Sequence, residues 1–227
     1  MTSDKDLTIP YNTNLMMDSM AFMGILKPEM TKAVFFDPQY RGVLDKLAYG
    51  NEGERQKKRA ELQQMTDGFI NSVISEIYRV LMPSGYLFFW TDKFYVVEGV
   101  IQKFKELEKL KPVDMIIWDK QRIGMGYRSR RKSEHLIIFQ KEPVKAKATW
   151  TDHSIPDVWS EKNMSNKEFP HIKPIGLIKK LIGAVTEMGD IVVDPCAGSF
   201  RVKDACIEMD RLFLGCDIET GKRVPVK

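Results

Sequence analysis

Ile191-Val192-Val193-Asp194-Pro195-Cys196-Ala197-Gly198-Ser199 runs from a short apolar segment into an Asp-Pro turn and a loop of small residues. An apolar run of this length, bounded by turn residues, predicts a buried strand. The loop leads into a helical pattern, so its backbone N–H groups stand where they can approach a ligand closely. About twenty residues further on, Leu212-Phe213-Leu214-Gly215-Cys216-Asp217 repeats the arrangement of a strand that ends in an acid. An acid in that position can accept hydrogen bonds from ribose hydroxyls. The loop holds one glycine, which fits an adenosine ligand without phosphates better than a phosphate cradle. The other reading of the segment is a strand-to-helix turn with an Asp cap.

Other apolar runs have the same character: Ala33-Val34-Phe35-Phe36, Tyr86-Leu87-Phe88-Phe89-Trp90, Met115-Ile116-Ile117-Trp118 and Leu136-Ile137-Ile138-Phe139. They are nearly continuous rather than alternating, as strands covered on both faces are. Helical stripes lie between them. Met65, Phe69, Val73, Ile77 and Leu81 form one; Val97, Ile101, Phe104 and Leu107 a second; Ile175, Ile178, Ile182 and Val185 a third. Met82-Pro83-Ser84-Gly85 and Met188-Gly189-Asp190 punctuate their ends. Strands alternating with helices predict an α/β fold, a three-layer, doubly wound, mostly parallel sheet. Gly50 to Lys58 reads as a solvated loop entering a helix, and the stretch from about Lys141 to Pro170 as an irregular excursion beyond the sheet.

The 227 residues, 43% of them hydrophobic, suffice for one core, so a single domain over 1–227 is expected. A net charge of +4 permits a nucleic-acid partner without announcing one. No apolar run reaches the length of a membrane span, and the N-terminus lacks the apolar core of a signal peptide. The three cysteines form no CxxC pair, which argues against a zinc site and fits a reducing cytoplasm. No metal is expected.

The third strand end with chemistry is Phe35-Phe36-Asp37-Pro38-Gln39-Tyr40. A carboxylate and nearby carbonyls can accept hydrogen bonds from an amino group while an aromatic ring stacks on the base that carries it. A base's amino nitrogen is a poor nucleophile because its lone pair is delocalised into the ring. Hydrogen bonds to Asp37 and a carbonyl draw it towards tetrahedral geometry, ready to attack a sulfonium methyl without a covalent enzyme intermediate. The plainer alternative is an Asp-Pro turn after a strand.

Taken together, these segments resemble the DNA amino-methyltransferases whose signature is Asp/Asn/Ser-Pro-Pro-Tyr/Phe/Trp, in the beta-class order with the catalytic motif first. The resemblance covers nearly the whole chain. It implies a Rossmann-like methyltransferase fold with permuted motif order, S-adenosylmethionine as cofactor and double-stranded DNA as partner. Asp37, Pro38, Gln39 and Tyr40 correspond to the catalytic tetrad. Phe36, Asp37, Lys173, Asp194, Pro195, Cys196, Ala197, Gly198, Ser199 and Asp217 are the residues it assigns to the cofactor. Pro83-Ser84-Gly85-Tyr86, Phe88-Phe89-Trp90-Thr91-Asp92, Ser133-Glu134-His135-Leu136 and His171-Ile172-Lys173-Pro174 resemble further framework segments. The chain departs from the family pattern in Gln39 for the second proline, and in Phe200 and Arg201 where Gly and Thr are usual. Members are often dimers, so a homodimer is possible.

Asp at the head of the tetrad is more usual for adenine N6 than for cytosine N4, and base flipping is implied. Cytosine N4, or a non-catalytic nucleic-acid-binding relative, remain the alternatives. Attack on cytosine C5 by Cys196 is disfavoured because that cysteine lies within the cofactor loop. Lys120, Arg122, Tyr127, Arg128, Arg130, Arg131 and Lys132 cluster with glycines after a strand, a composition that can track phosphates or form only a solvated basic hairpin. The family places target recognition in this stretch, about 119–170. Trp150 and Trp159 read as local packing.

Overall fold

The computed structural model describes residues 9–39, 65–124, 128–162, 164 and 172–218. The chain enters through β1 (Leu15–Met16) and α1 (Ser19–Ile25). Asp18 caps that helix, its Oδ1 accepting from the amides of Met20 and Ala21 at 2.9 and 3.1 Å. β2 (Thr31–Phe36) follows, then α2 (Asp67–Val80), which Thr66 caps, and β3 (Leu81–Thr91). α3 (Lys93–Glu98), α4 (Val100–Lys103) and a 3-10 turn (Lys105–Lys109) lead to β4 (Lys111–Asp119) and β5 (Ser133–Gln140). The chain continues through β6 (Val158–Ser160), α5 (Ile175–Val185), β7 (Ile191–Asp194), α6 (Arg201–Glu208) and β8 (Leu212–Asp217).

The strands form one sheet in the order β1-β8-β7-β2-β3-β5-β4-β6. β5 is antiparallel to both of its neighbours, and the other pairs are parallel. From β2 the chain moves outward to β3, and from β7 it moves outward the other way to β8. The β2–β7 pair, in register at Ala33↔Val192 and Val34↔Val193, is therefore the point where the winding reverses. At such a point a crevice opens beyond the carboxyl ends of the strands.

Both faces of the sheet are covered, which explains the continuous apolar runs. Phe36, Phe89 and Phe139 pack with Ile70, Val73 and Ile77 of α2 on one face. Phe35, Phe88 and Ile138 pack with Leu177, Ile178 and Leu181 of α5 on the other, with Phe213. Phe35, Phe36, Phe88 and Phe89 are all buried, and each such side chain contributes roughly 1.5–3 kcal/mol. The strand ends are thus fixed by a core on either side. Among the described residues no helix is long and apolar enough to cross a membrane.

Three expectations need correction. Met82-Pro83-Ser84-Gly85 does not precede β3 but lies within it, as an irregularity where the pairing jumps from Thr31↔Leu81 to Ala33↔Tyr86. Ser84 takes a positive φ there, and Pro83 has no amide to leave unpaired. The stripe from Val97 to Leu107 is not one helix. Gly99 adopts a left-handed conformation that ends α3, Val97 is 83% exposed, and Phe104 and Leu107 reach the core from a separate turn. The stretch 141–170 is not wholly irregular, since β6 adds a parallel strand to β4. Residues 50–58 lie outside the described residues.

Candidate functional site

Asp37, Asp194 and Asp217 leave the carboxyl ends of three strands at this crevice, β2, β7 and β8. The loop after β7 is shaped by main-chain hydrogen bonds. Asp194 Oδ1 accepts from the Cys196 amide at 3.0 Å, and Asp217 Oδ2 accepts from the Gly198 amide at 2.9 Å. The Ala197 amide donates to the Cys216 carbonyl at 2.9 Å, stitching the loop to β8. Ser19, at the start of α1, donates its hydroxyl to the Pro195 carbonyl at 2.7 Å and lies 3.4 Å from the Cys196 thiol. Gly198 has φ +48°, and a Cβ added there would meet nothing within 4 Å. The loop therefore presents a positive-φ residue with open space in front of it, as a close ligand approach requires.

Gly215 has the opposite surroundings. It is opposite Asp194 in the β7–β8 register, and a Cβ there would stand 2.5 Å from the Asp194 carbonyl. Only glycine lets the two acid-bearing strands come this close. Phe200 starts α6 in the left-handed region at φ 56°, a position that suits glycine. Its ring is 5% exposed and packs edge-on against Phe213, 6.2 Å away. The side chain thus fills the core under the sheet.

The electrostatics of this half suit a cation. Burial raises the Asp194 carboxyl well above the usual carboxylate range, and the nearby charges of Asp37 and Asp217 add to the rise. Burial likewise raises the Cys196 thiol, with Asp194, Cys216 and Asp217 adding to it. The thiol sits inside the loop against the Ser19 hydroxyl, a placement that gives no support to attack on a cytosine ring by Cys196. S-adenosylmethionine, implied by the sequence resemblance, carries a sulfonium and an ammonium, and its ribose offers a diol. Repelling carboxylates, an open glycine and an acid at the end of β8 form a donor set that fits it.

Asp37 is held differently. Its Oδ2 lies 2.9 Å from Lys173 Nζ, and the same ammonium lies 2.8 Å from Glu134 Oε2. Glu134 Oε1 is in turn 3.3 Å from Lys120 Nζ. Lys173 also stands over the Trp90 ring, 4.9 Å from its centroid. Burial pulls the Lys173 ammonium towards losing its proton, but Asp37 and Glu134 outweigh that and hold it charged, above the ordinary lysine value. Pro38 is buried, and Gln39 is exposed with its carbonyl accepting from the Met65 amide at 3.1 Å. Phe36 is wholly buried and packs 5.7 Å from Phe89, so its ring belongs to the core. Tyr40 lies outside the described residues.

The basic cluster is the connection between antiparallel β4 and β5. Its base is closed by the Lys120 amide donating to the Lys132 carbonyl at 2.9 Å, and by Gly124 donating to Arg131. Acids at the base balance two of its lysines: Lys120 against Glu134, and Lys132 against Asp119 at 3.0 Å. Arg131 stands over the Phe94 ring, and Arg122, Arg128 and Arg130 are exposed. Tyr127 lies outside the described residues. Trp150 packs edge-on against Tyr86, and the Trp159 indole donates to Glu161.

Sequence reasoning missed three contributors. Ser19 braces the loop after β7, and the Asp18-Ser19 pair before an apolar run was a legible helix start. Glu134 belongs to a framework segment, yet it joins Lys120 to Lys173. Trp90, read as the end of a strand, also forms a face for the Lys173 ammonium.

Residues 8–222 match the N6/N4 methyltransferase family model, described as DNA methylase. The chain is 50% identical over 222 residues to the Type II methyltransferase M.HhaII of Haemophilus parahaemolyticus, covering 97% of each protein. Among solved structures, it resembles the PvuII DNA methyltransferase (cytosine-N4-specific) with a TM-score of 0.67 at 16% identity, over 93% of this chain and 83% of that one. It also resembles the M1.HpyAVI–SAM complex with a TM-score of 0.63 at 19% identity, over 91% and 93% of the two chains.

Proposed function

This chain belongs to the N6/N4 family of DNA methylases, and on that premise we propose that it methylates the exocyclic N6 amino group of adenine in double-stranded DNA. The methyl donor is S-adenosylmethionine. The observation that carries the reading is the placement of Asp37 at the carboxyl end of β2, beside the Asp194 loop of the adjacent β7.

The cofactor would be held by Asp194, Pro195, Cys196, Ala197, Gly198 and Ser199 of the loop, by Asp217 at the ribose, and by the Phe36–Asp37 main chain. Bound there, it supplies an electrophilic methyl group. The chain's own residues prepare the other reactant. Asp37 accepts a hydrogen bond from the target amino group, localises the nitrogen lone pair and receives the departing proton on its carboxylate side. Pro38 holds the turn rigid, Gln39 contributes main chain beside it, and Tyr40 stacks on the flipped base. Lys120, Arg122, Arg128, Arg130, Arg131 and Lys132, with Tyr127, contact the DNA. Asp at the head of the tetrad favours adenine over cytosine.

The test is methyl transfer from radiolabelled S-adenosylmethionine to double-stranded DNA, followed by digestion to nucleosides. Label in N6-methyldeoxyadenosine is the expected result. Label in N4-methyldeoxycytidine overturns the adenine assignment, and DNA without label overturns the activity.

A further inference from the structure

Asp37, Lys173, Glu134 and Lys120 form one chain of alternating charges that crosses the sheet's carboxyl edge. Its links measure 2.9, 2.8 and 3.3 Å. Its members come from four places: the turn after β2, the approach to α5, the second residue of β5 and the base of the basic arm. Asp37 is 38% exposed, whereas Lys173 and Lys120 are each 15% exposed and Glu134 21%. Lys173 is fixed from a third direction by the Trp90 ring. A charge so enclosed is retained only with its partners in place, because an uncompensated buried ion is costly. Nothing in the reaction as described above uses Glu134, and the resemblance assigned Lys173 to the cofactor. The geometry instead aims its ammonium at the two carboxylates.

We propose that Glu134 and Lys173 are positioning residues that orient the Asp37 carboxylate and tie it to the DNA-contacting arm through Lys120. This rests on the methyltransferase reading and deepens it. Lys173 sets where Asp37 Oδ2 stands and how strongly that oxygen accepts a hydrogen bond. Glu134 divides its charge between two ammonium groups, so it sets how much of the Lys173 charge falls on Asp37. When a DNA phosphate draws Lys120 away, Glu134 turns its charge to Lys173, the field of Lys173 on Asp37 weakens, and Asp37 becomes the stronger acceptor. Engagement of DNA at the arm thereby improves the acceptor at the base. Lys120 lies where the arm joins the sheet, its amide bonded to the Lys132 carbonyl at 2.9 Å, so it belongs both to the arm and to this chain of charges.

Opposite substitutions move the reaction in opposite directions along the pH axis, which a purely structural role does not do. Asp37 is faced by Lys173 from the approach to α5 and by Asp194 from β7. Asp217 also acts on Asp194, and Glu134 and Lys120 stand beyond Lys173. Lys173→Met removes the cation, so Asp37 keeps its proton to higher pH and the acid limb of the single-turnover rate moves up by about one unit. Glu134→Gln keeps the shape but removes the anion that offsets Lys173, so the acid limb moves down. Both variants lose rate at saturating cofactor and DNA, by about 10- to 100-fold for Lys173→Met, because the carboxylate is no longer held in line. Lys173→Arg keeps the charge and retains most of the rate, which guards against misfolding of the methionine variant.

The experiment is single-turnover methyl transfer to DNA across pH for the wild type, Lys173→Met, Lys173→Arg and Glu134→Gln, with cofactor affinity measured by calorimetry in parallel. Opposed shifts of the acid limb with unchanged cofactor affinity support the proposal. A Lys173→Met protein that binds cofactor weakly but turns over normally at saturation overturns it, and returns Lys173 to the cofactor. Limbs that stay in place, or move together, also overturn it. Label appearing in cytosine corrects the adenine assignment and leaves the relay standing, since any amino group needs the same acceptor; a wild type that transfers nothing to DNA overturns both.

Discussion

On the β7–β8 side of the edge, main-chain amides hold the carboxylates: Asp194 on Cys196 at 3.0 Å and Asp217 on Gly198 at 2.9 Å. On the β2–β5 side, lysine side chains hold them: Asp37 at 2.9 Å and Glu134 at 2.8 Å from the same Lys173 ammonium. A main-chain grip depends on the backbone and is indifferent to most side chains of the loop. That is why Phe200 and Arg201 can depart from the family pattern while the loop keeps its form. A side-chain grip has rotamer freedom and can be redirected by an arriving charge. The first half suits a ligand that takes the same pose in every turnover, and the second a substrate whose own charge can redirect the groups that meet it.

The largest effect that would sharpen this contrast is on turnover. Asp37→Ala removes the acceptor for the amino group and should lower the single-turnover rate by about two to three orders of magnitude. Next is the cofactor half, where Asp217→Ala should weaken S-adenosylmethionine binding by roughly 10- to 100-fold, the range of a hydrogen bond to a charged group. Titration calorimetry reads that directly, and unchanged affinity would place the ribose elsewhere.

A smaller effect concerns stability, and its sign is unusual. The Asp194 carboxyl is raised in the folded protein, so folding favours its protonated form. Its contribution is therefore best below the unfolded carboxylate value, about 4, and declines as pH rises from there through the folded value. Asp194→Asn removes that penalty and keeps an oxygen for the Cys196 amide. Without cofactor, the variant should melt a few degrees higher than wild type at neutral pH, with the gap closing in acid. Scanning calorimetry at two pH values checks this, and a lower melting temperature at neutral pH would contradict it.

The smallest expected effect belongs to the arm. Arg128→Ala with Arg130→Ala should weaken DNA binding several-fold and reduce the slope of log affinity against log salt by about 1–2. An unchanged slope would move the phosphate contacts to another surface.

Much of this was legible because it is local. The runs at 33–36, 86–90 and 191–193 are strands, and the acids at 37, 194 and 217 lie at strand ends, as an apolar run followed by a turn dictates. What escaped reading was set by distance or by a single backbone angle. The pairing shift through Pro83 and Ser84 depends on β2 as partner, and the break at Gly99 on one left-handed residue inside a good helical stripe. Glu134 and Lys173 stand 39 positions apart, and no spacing rule joins a strand to a helix approach over that interval. Only the sheet order brings them together.

The most direct test sets the two halves against each other in one assay. Cofactor affinity and single-turnover rate at saturating cofactor and DNA are measured together for Asp37→Ala and Asp217→Ala. A crossed result is expected: Asp37→Ala binds cofactor nearly as wild type but transfers methyl groups very slowly, while Asp217→Ala binds poorly and recovers most of its rate at saturation. If both variants lose binding and rate in the same proportion, the edge is not divided as described here, and Asp37 is not the acceptor for the amino group.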